Sequence, residues 1–192
     1  MKKNILFILV STFLLTGCFS VSSLNPFSDS KKKVEIEEIE IPSNAPAWLI
    51  DNKIKNNITA IGFVKEIKEE NLDFYKQKAL IGASNNLLKR IYSKTGRLYK
   101  AYTEKLDNPK VFDKDIKKFA EHISLKSLTY SKVVNTWISE DKELYVQLAV
   151  DSNTVATQIQ NTSKLLFDVD KMLYQYFLSN RANKEIIQYL EK

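Results

Sequence analysis

The sequence predicts an α/β fold of the α+β kind, in which a small antiparallel or mixed sheet is packed by two to three amphipathic helices. Three observations support this prediction: a short apolar run at 58–64, two runs between 131 and 150 that flank four polar residues, and apolar stripes at helical spacing before and after them. Strand-like and helix-like periods thus occur in one chain, which indicates a sheet and helices around a shared core.

The first residues have the pattern of an export signal. Lys2 and Lys3 precede an apolar run that ends at Leu15, and a positive region followed by a short hydrophobic one is typical of a signal peptide. The run has roughly a dozen residues, fewer than the ~20 that a helix needs to cross a bilayer. We therefore predict a signal peptide over residues 1–17 and no permanent membrane-spanning anchor.

The only cysteine of the chain directly follows this run. Leu15-Thr16-Gly17-Cys18 resembles the lipobox of bacterial lipoproteins, in which the cysteine becomes the acylated first residue. The alternative is a plain signal peptide with a free thiol near the cleavage site. In the lipobox interpretation Cys18 carries lipid, so it is neither a disulfide partner nor a nucleophile.

Acylation of Cys18 predicts attachment to a membrane without crossing it. Each buried methylene contributes about 0.8 kcal/mol, so several acyl chains give lasting attachment. Phe19 is not the aspartate that is associated with inner-membrane retention in some bacteria. We therefore expect the outer membrane, with the domain facing the periplasm or the cell surface.

Residues 18–45 are predicted to be a flexible tether. They contain the triplet Lys31-Lys32-Lys33 and the acidic run Val34–Ile41. At ~3.3 Å per residue the segment reaches at most about 90 Å. The lysines either lie against anionic head groups or are solvated, and Val34–Ile41 is alternatively an edge strand.

The net charge of +6 falls to about +4 without Lys2 and Lys3. This positive surplus either favours binding to anionic envelope polymers or is only a solvated surface.

Residues 46–192 are predicted to form a single domain. Ile58–Val64 is a buried strand with one close backbone approach at Gly62. Leu72–Thr95 is an amphipathic helix that ends at Gly96. Small residues in this helix allow a sheet or another helix to approach closely: Ala79, Gly82, Ala83 and Ser84.

The middle of the domain is predicted to contain a second helix and a hairpin. Arg97–Tyr102 is either a strand or a continuation of the first helix, and Asp113–Ser124 is the second helix. Ser131–Ile138 and Glu143–Val150 predict a β-hairpin, because apolar and polar residues alternate along the second run.

A further helical stripe near the C-terminus is the candidate interaction face, with packing on the same sheet as the alternative. Its residues are Leu165, Val169, Met172, Leu173, Tyr176 and Phe177. The helical pattern resumes at Ile186, Ile187 and Leu190 after a break near Ser179-Asn180.

No motif in the sequence points to catalysis. Four glycines are too few for a glycine-rich phosphate loop, and neither a His-Glu-x-x-His motif nor a nucleophile elbow is present. His122 is expected at the surface or half-buried, and Asp113 and Asp115 favour a helix N-terminus over a metal. We therefore expect no enzyme activity, no cofactor and no metal. We also expect no nucleic-acid binding, because the aromatic residues lie inside apolar periodic segments.

Several landmarks occur in an informative order: the lipobox at Cys18, Pro46-Ala47-Trp48, a strand with Gly62, a helix with Ala79 and Ala83, and a Trp137 hairpin ending in Leu144-Tyr145-Val146. Over Ala45–Asp151 this order resembles the LPP-twenty family of small bacterial outer-membrane lipoproteins, which includes a flagellar basal-disk protein. The resemblance implies helices on an antiparallel or mixed sheet, association with structures around the flagellar motor, and no catalytic residues. The chain departs from the family in a first helix poorer in alanine and in a turn at Ser139–Lys142 that lacks glycine.

Two functions follow as expectations. The first is a membrane-anchored envelope lipoprotein with a structural or protein-interaction role, possible partners being a second copy of itself and other envelope or flagellar proteins. The alternative is a carrier lipoprotein of the outer membrane that binds a lipid or a glycan in an apolar cleft between helices and sheet.

Overall fold

The computed structural model describes residues 41–166 and 175–192. The predicted signal peptide and the predicted tether up to residue 40 lie outside them. The described elements are α1 (Ala47–Ile50), β1 (Asn57–Val64), α2 (Leu72–Thr103), α3 (Asp113–Leu128), β2 (Lys132–Ile138), β3 (Leu144–Asp151), α4 (Ser152–Leu166) and α5 (Asn180–Glu191), with 3₁₀ turns at Glu69–Asn71 and Pro109–Phe112. The fold is therefore mixed α+β, as the sequence predicts.

The three strands form an antiparallel sheet in the order β1-β3-β2. β1 pairs with β3 over its whole length, from Val64 opposite Leu144 to Asn57 opposite Asp151. β2 pairs with the other side of β3, beginning with Ile138 opposite Leu144. The predicted strand and the predicted hairpin are both confirmed.

The hairpin turn is built without glycine. Lys142 adopts a φ of 59°, and its N–H donates to the Ser139 carbonyl at 3.1 Å. The Glu143 N–H donates to Ser139 Oγ at 3.1 Å. Ser139 therefore accepts two hydrogen bonds across the turn, and these stabilise a backbone conformation that otherwise favours glycine.

The packing of α2 on β1 depends on Gly62. A Cβ atom at this position would overlap the backbone of Ala79 and Ala83. Ala79 and Ala83 are completely buried, so the small residues of α2 allow the helix backbone to lie directly on the strand. The predicted close approach at Gly62 is confirmed.

The predicted end of α2 at Gly96 is wrong. The helix continues to Thr103, and Arg97–Tyr102 is helical. Two features explain this: Leu98 and Tyr99 extend the buried side of the helix, and a Cβ at Gly96 would lie 3.9 Å from that of Ala120 on α3. Helix packing therefore outweighs the weak helix propensity of one glycine, which costs about 1 kcal/mol relative to alanine.

The remaining helices complete one side of the core. α3 packs on α2 and α4, and α5 packs on α4. The fully buried Tyr99 links α2 to α4, because its hydroxyl donates to the Ile159 carbonyl at 2.9 Å. Burial raises the pKa of this hydroxyl, which therefore stays protonated as a donor.

Side-chain caps mark the starts of α4 and α5. The Thr154 N–H donates to Asp151 Oδ1 at 3.0 Å, and the Ala182 N–H donates to Ser179 Oγ at 3.0 Å. The second cap confirms the predicted break near Ser179-Asn180. The start of α4 is not predicted by the sequence pattern, because residues 152–163 are rich in Ser, Thr and Asn, which have weak helix propensity.

The segment around α1 covers the other face of the sheet. Leu49 forms a small apolar cluster with Tyr145 of β3 and its neighbours. Gln147 is completely buried beside this cluster; it donates to Asn52 Oδ1 at 2.7 Å and accepts from Asn135 Nδ2 at 2.7 Å. These contacts attach the chain that follows the predicted tether to both β3 and β2.

Candidate interaction surface

β2 forms one edge of the sheet, and no strand of the described residues pairs with its outer side. Val133, Val134 and Ile138 on this strand are 51%, 41% and 43% exposed. An edge strand presents unpaired N–H and C=O groups, and apolar side chains next to them favour pairing with another strand. We call the outer side of β2, with these three residues, the β2 surface.

The helix layer does not extend over β2. α2 packs mainly on β1 and β3 and makes little contact with β2. A groove of about 410 Å³ remains between the first half of α2 and the sheet, and it is lined by Lys76, Gln77, Leu80, Val133, Thr136 and Val146. The β2 surface is therefore open both at the backbone edge and on the face that carries Val133 and Thr136.

The opposite edge of the sheet is covered by side chains from α2. Asn86 Nδ2 donates to the Ile61 carbonyl at 2.8 Å, and Arg90 Nη1 donates to the Thr59 carbonyl at 2.8 Å. These bonds occupy outward carbonyl groups of β1 that a further strand would need. The two edges therefore differ, and β2 is the edge at which strand addition meets less obstruction.

A bulge limits regular pairing along β2. The register shifts between Val133 and Asn135, which leaves Val134 as the extra residue. Regular pairing with another strand is therefore expected from Asn135 to Ile138. Trp137 in this stretch packs against Tyr145 of β3, with tilted rings whose centroids are 5.6 Å apart, and this contact adds to the pairing of the two strands.

The predicted interaction face near the C-terminus is not a continuous exposed surface in the described residues. Leu165 is 70% exposed, whereas Phe177 is completely buried. Val169, Met172 and Leu173 lie outside the described residues, as do Leu15, Thr16, Gly17 and Cys18 of the predicted lipobox. The interaction-face prediction is therefore corrected at Phe177, which packs in the core because α2 and α4 surround it.

Tyr176 takes part in contacts within the domain. Its hydroxyl donates to Glu185, which also accepts from Arg181 Nε at 3.0 Å. The pKa of the Glu185 carboxyl is lowered mainly by the hydrogen bond from Tyr176 and further by the hydrogen bond from Arg181. Burial raises the pKa of Tyr102, which packs beside Tyr176. The Tyr176 side chain thus connects the turn before α5 to α2.

Neither a metal cluster nor a spanning helix occurs in the described residues. No group of three or more His, Cys, Asp or Glu side chains there is arranged to hold a metal ion. His122 is exposed on α3. Within residues 41–166 and 175–192, every helix is too short or too polar to cross a membrane.

The comparisons with known proteins return no relative. No family model matches the chain, and neither a curated protein nor a solved structure is significantly similar to it.

Proposed function

We propose that this chain is a membrane-anchored envelope lipoprotein with a structural role, which self-associates through the β2 surface. The observation that carries the proposal is the uncovered β2 edge with its three exposed apolar side chains. The lipobox at Cys18 supports the anchor, and the resemblance to the LPP-twenty family supports an outer-membrane location and an association with the flagellum.

The proposed occupant of the β2 surface is β2 of a second copy. Lys132 stands at one end of the strand, and Glu140 and Asp141 follow its other end. An antiparallel partner would bring the lysine of each copy toward the acidic residues of the other. The contact is then symmetric and self-complementary, as in most homodimers, and opposite charges support its orientation.

A lipid anchor makes weak pairing effective. A pairing region of four residues is short, and a surface of this size gives modest affinity in free solution. Two copies anchored on the same membrane face are confined to a thin layer, which raises their effective concentration. We therefore expect association to be stronger for the acylated protein on a membrane than for the protein in dilute solution.

Charge at the β2 surface is expected to weaken self-association. The double change Val133→Lys and Ile138→Lys places cations where apolar side chains would meet, and we expect association at least about tenfold weaker, about 1.4 kcal/mol. Sedimentation velocity of the acylated chain in detergent measures this, and circular dichroism checks that the fold is retained.

Leu165→Lys is the control at a different surface, since it places a lysine on an exposed leucine of α4. It should leave association unchanged. If Leu165→Lys dissociates the complex and the β2 variant does not, the interaction surface lies near the C-terminus and the β2 proposal is wrong.

Cys18→Ser is expected to abolish both acylation and processing of the signal peptide by the lipoprotein pathway. The hydroxyl cannot form the thioether that lipoprotein processing requires, and no other cysteine is present. Intact-protein mass spectrometry of the membrane and soluble fractions measures both effects. A Cys18→Ser protein that still carries lipid would exclude the proposed anchor without bearing on the β2 surface.

A further inference from the structure

A cleft beside the outer edge of β1 is lined by a row of cations. It has a volume of about 670 Å³ between α2, β1 and the segment that precedes β1. α2 contributes Lys89, Arg90, Lys94 and Arg97 to its wall. These positions lie on one side of the helix and extend over about 12 Å of its axis, so the positive charge is concentrated.

No cation of this row forms an ion pair within residues 41–166 and 175–192. The cations that form ion pairs within residues 41–166 and 175–192 are Lys53, Lys65, Lys76 and Arg181. Glu191 lines an adjoining depression together with Arg90 and Lys94 of the row, but none of these ion pairs joins it to them. The positive charges of the row are therefore available to bind an anionic group from outside the described residues.

The fold holds the cations in place although they repel one another. The bond to Thr59 fixes Arg90, and Lys94 is only 9% exposed. Burial lowers the pKa of Lys94, and the charges of Arg90 and Arg97 act in the same direction. Cations that are fixed close together and partly removed from water are stabilised by an anion placed among them.

The chain itself brings an acidic segment to this place. Ile41 lines the cleft, and the six positions before it contain four glutamates: Glu35, Glu37, Glu38 and Glu40. Six extended residues span about 20 Å, which is longer than the row of cations on α2. The carboxylates are therefore within reach of the whole row.

We infer that the acidic segment 34–41 docks in this cationic cleft of its own chain. Single exposed ion pairs contribute little, but here several act together and covalent connection gives a high effective concentration. Docking would leave residues 19–33 as the free part of the tether. Its maximum reach then falls from about 90 Å to about 50 Å, which brings the domain closer to the membrane.

Hydrogen exchange of the acylated chain in detergent tests this inference. Peptides that cover residues 34–41 should exchange at least about tenfold more slowly in the native chain than in the double variant Lys89→Glu and Arg97→Glu. The difference should disappear at 1 M salt, where the screening length falls from about 8 Å to about 3 Å. Amides in the core of α2 report in the same experiment whether each variant is folded.

The control variant carries Lys117→Glu and Lys118→Glu. Both lysines are exposed on α3, so the net charge changes equally while the cleft is untouched, and exchange of 34–41 should stay slow. Adding Glu35→Lys and Glu38→Lys to the cleft variant restores opposite charges and should restore the protection.

Equal exchange in the native chain and the cleft variant would overturn the inference, as would failure of the charge swap to restore protection. A different occupant would also overturn it. In that case phosphatidylglycerol vesicles or inorganic phosphate would protect the cleft residues of α2 while 34–41 exchanged freely, and the cleft would be a phosphate site.

Discussion

Gly62→Ala is expected to lower the free energy of unfolding by about 3 kcal/mol, the upper end of the usual range for overpacking, because the added methyl group has no space. A Cβ at Gly62 would overlap backbone atoms of Ala79 and Ala83 on α2. Backbone cannot rotate away as a side chain can, so either α2 moves off the sheet or β1 is displaced. For a domain of this size the expected fall in melting temperature is about 10 °C.

Gly82→Ala is the matched control, since Gly82 lies on α2 directly opposite Gly62. A Cβ at Gly82 would lie 3.6 Å from the Gly62 Cα, an ordinary contact distance. Alanine also favours a helix interior over glycine, so we expect no loss of stability and a gain of up to about 1 kcal/mol. Thermal unfolding followed by circular dichroism compares the two variants, and similar melting temperatures would contradict the close packing.

Phe177→Ala is expected to destabilise the domain by about 3–5 kcal/mol, the range for large-to-small changes in a core. The ring is completely buried, and its centroid lies 4.6 Å from that of Tyr102 on α2. Truncation leaves a cavity between α2 and the chain before α5. Urea unfolding measures the effect as a lower midpoint with an unchanged slope.

Leu165→Ala is the control for Phe177→Ala, because both residues belong to the predicted interaction face but only Phe177 is buried. Leu165 is 70% exposed, so truncation should change stability by less than about 0.5 kcal/mol. Equal losses for Phe177→Ala and Leu165→Ala would contradict the burial described above. A charged residue at Phe177 is consequently no test of an interaction face, because it would disrupt the fold first.

Local chemistry explains which elements were predictable. The hairpin strands and β1 have clear patterns of apolar residues, which predict strands. The short polar turn between β2 and β3 predicts that these two strands pair. The close approach at Gly62 was predictable because a glycine inside a buried strand is typical of one, and the small residues of α2 allow it. Gly96 was not, since a glycine that ends a helix and one that packs against Ala120 look the same in sequence.

The sites were less predictable than the elements. The exposure of β2 depends on how far α2 extends across the sheet, and no local sequence pattern predicts that distance. The cationic cleft had a partial signal, because Arg90, Lys94 and Arg97 recur at helical spacing and an acidic run stands earlier in the chain. The segment that follows Ile41 is attached to the sheet by Asn52 and Gln147, a contact between residues 95 positions apart.

The sequence alone determined the α+β class, the strands, the confirmed starts of α2 and α3, and the expectation of a lipid anchor, because these depend on neighbouring residues and their periodicity. Only the tertiary structure decided that α2 continues past Gly96, that Phe177 is core, and that β2 is left open while β1 is covered. These depend on which surfaces meet in three dimensions. Burial between distant segments outweighs local propensities of about 1 kcal/mol.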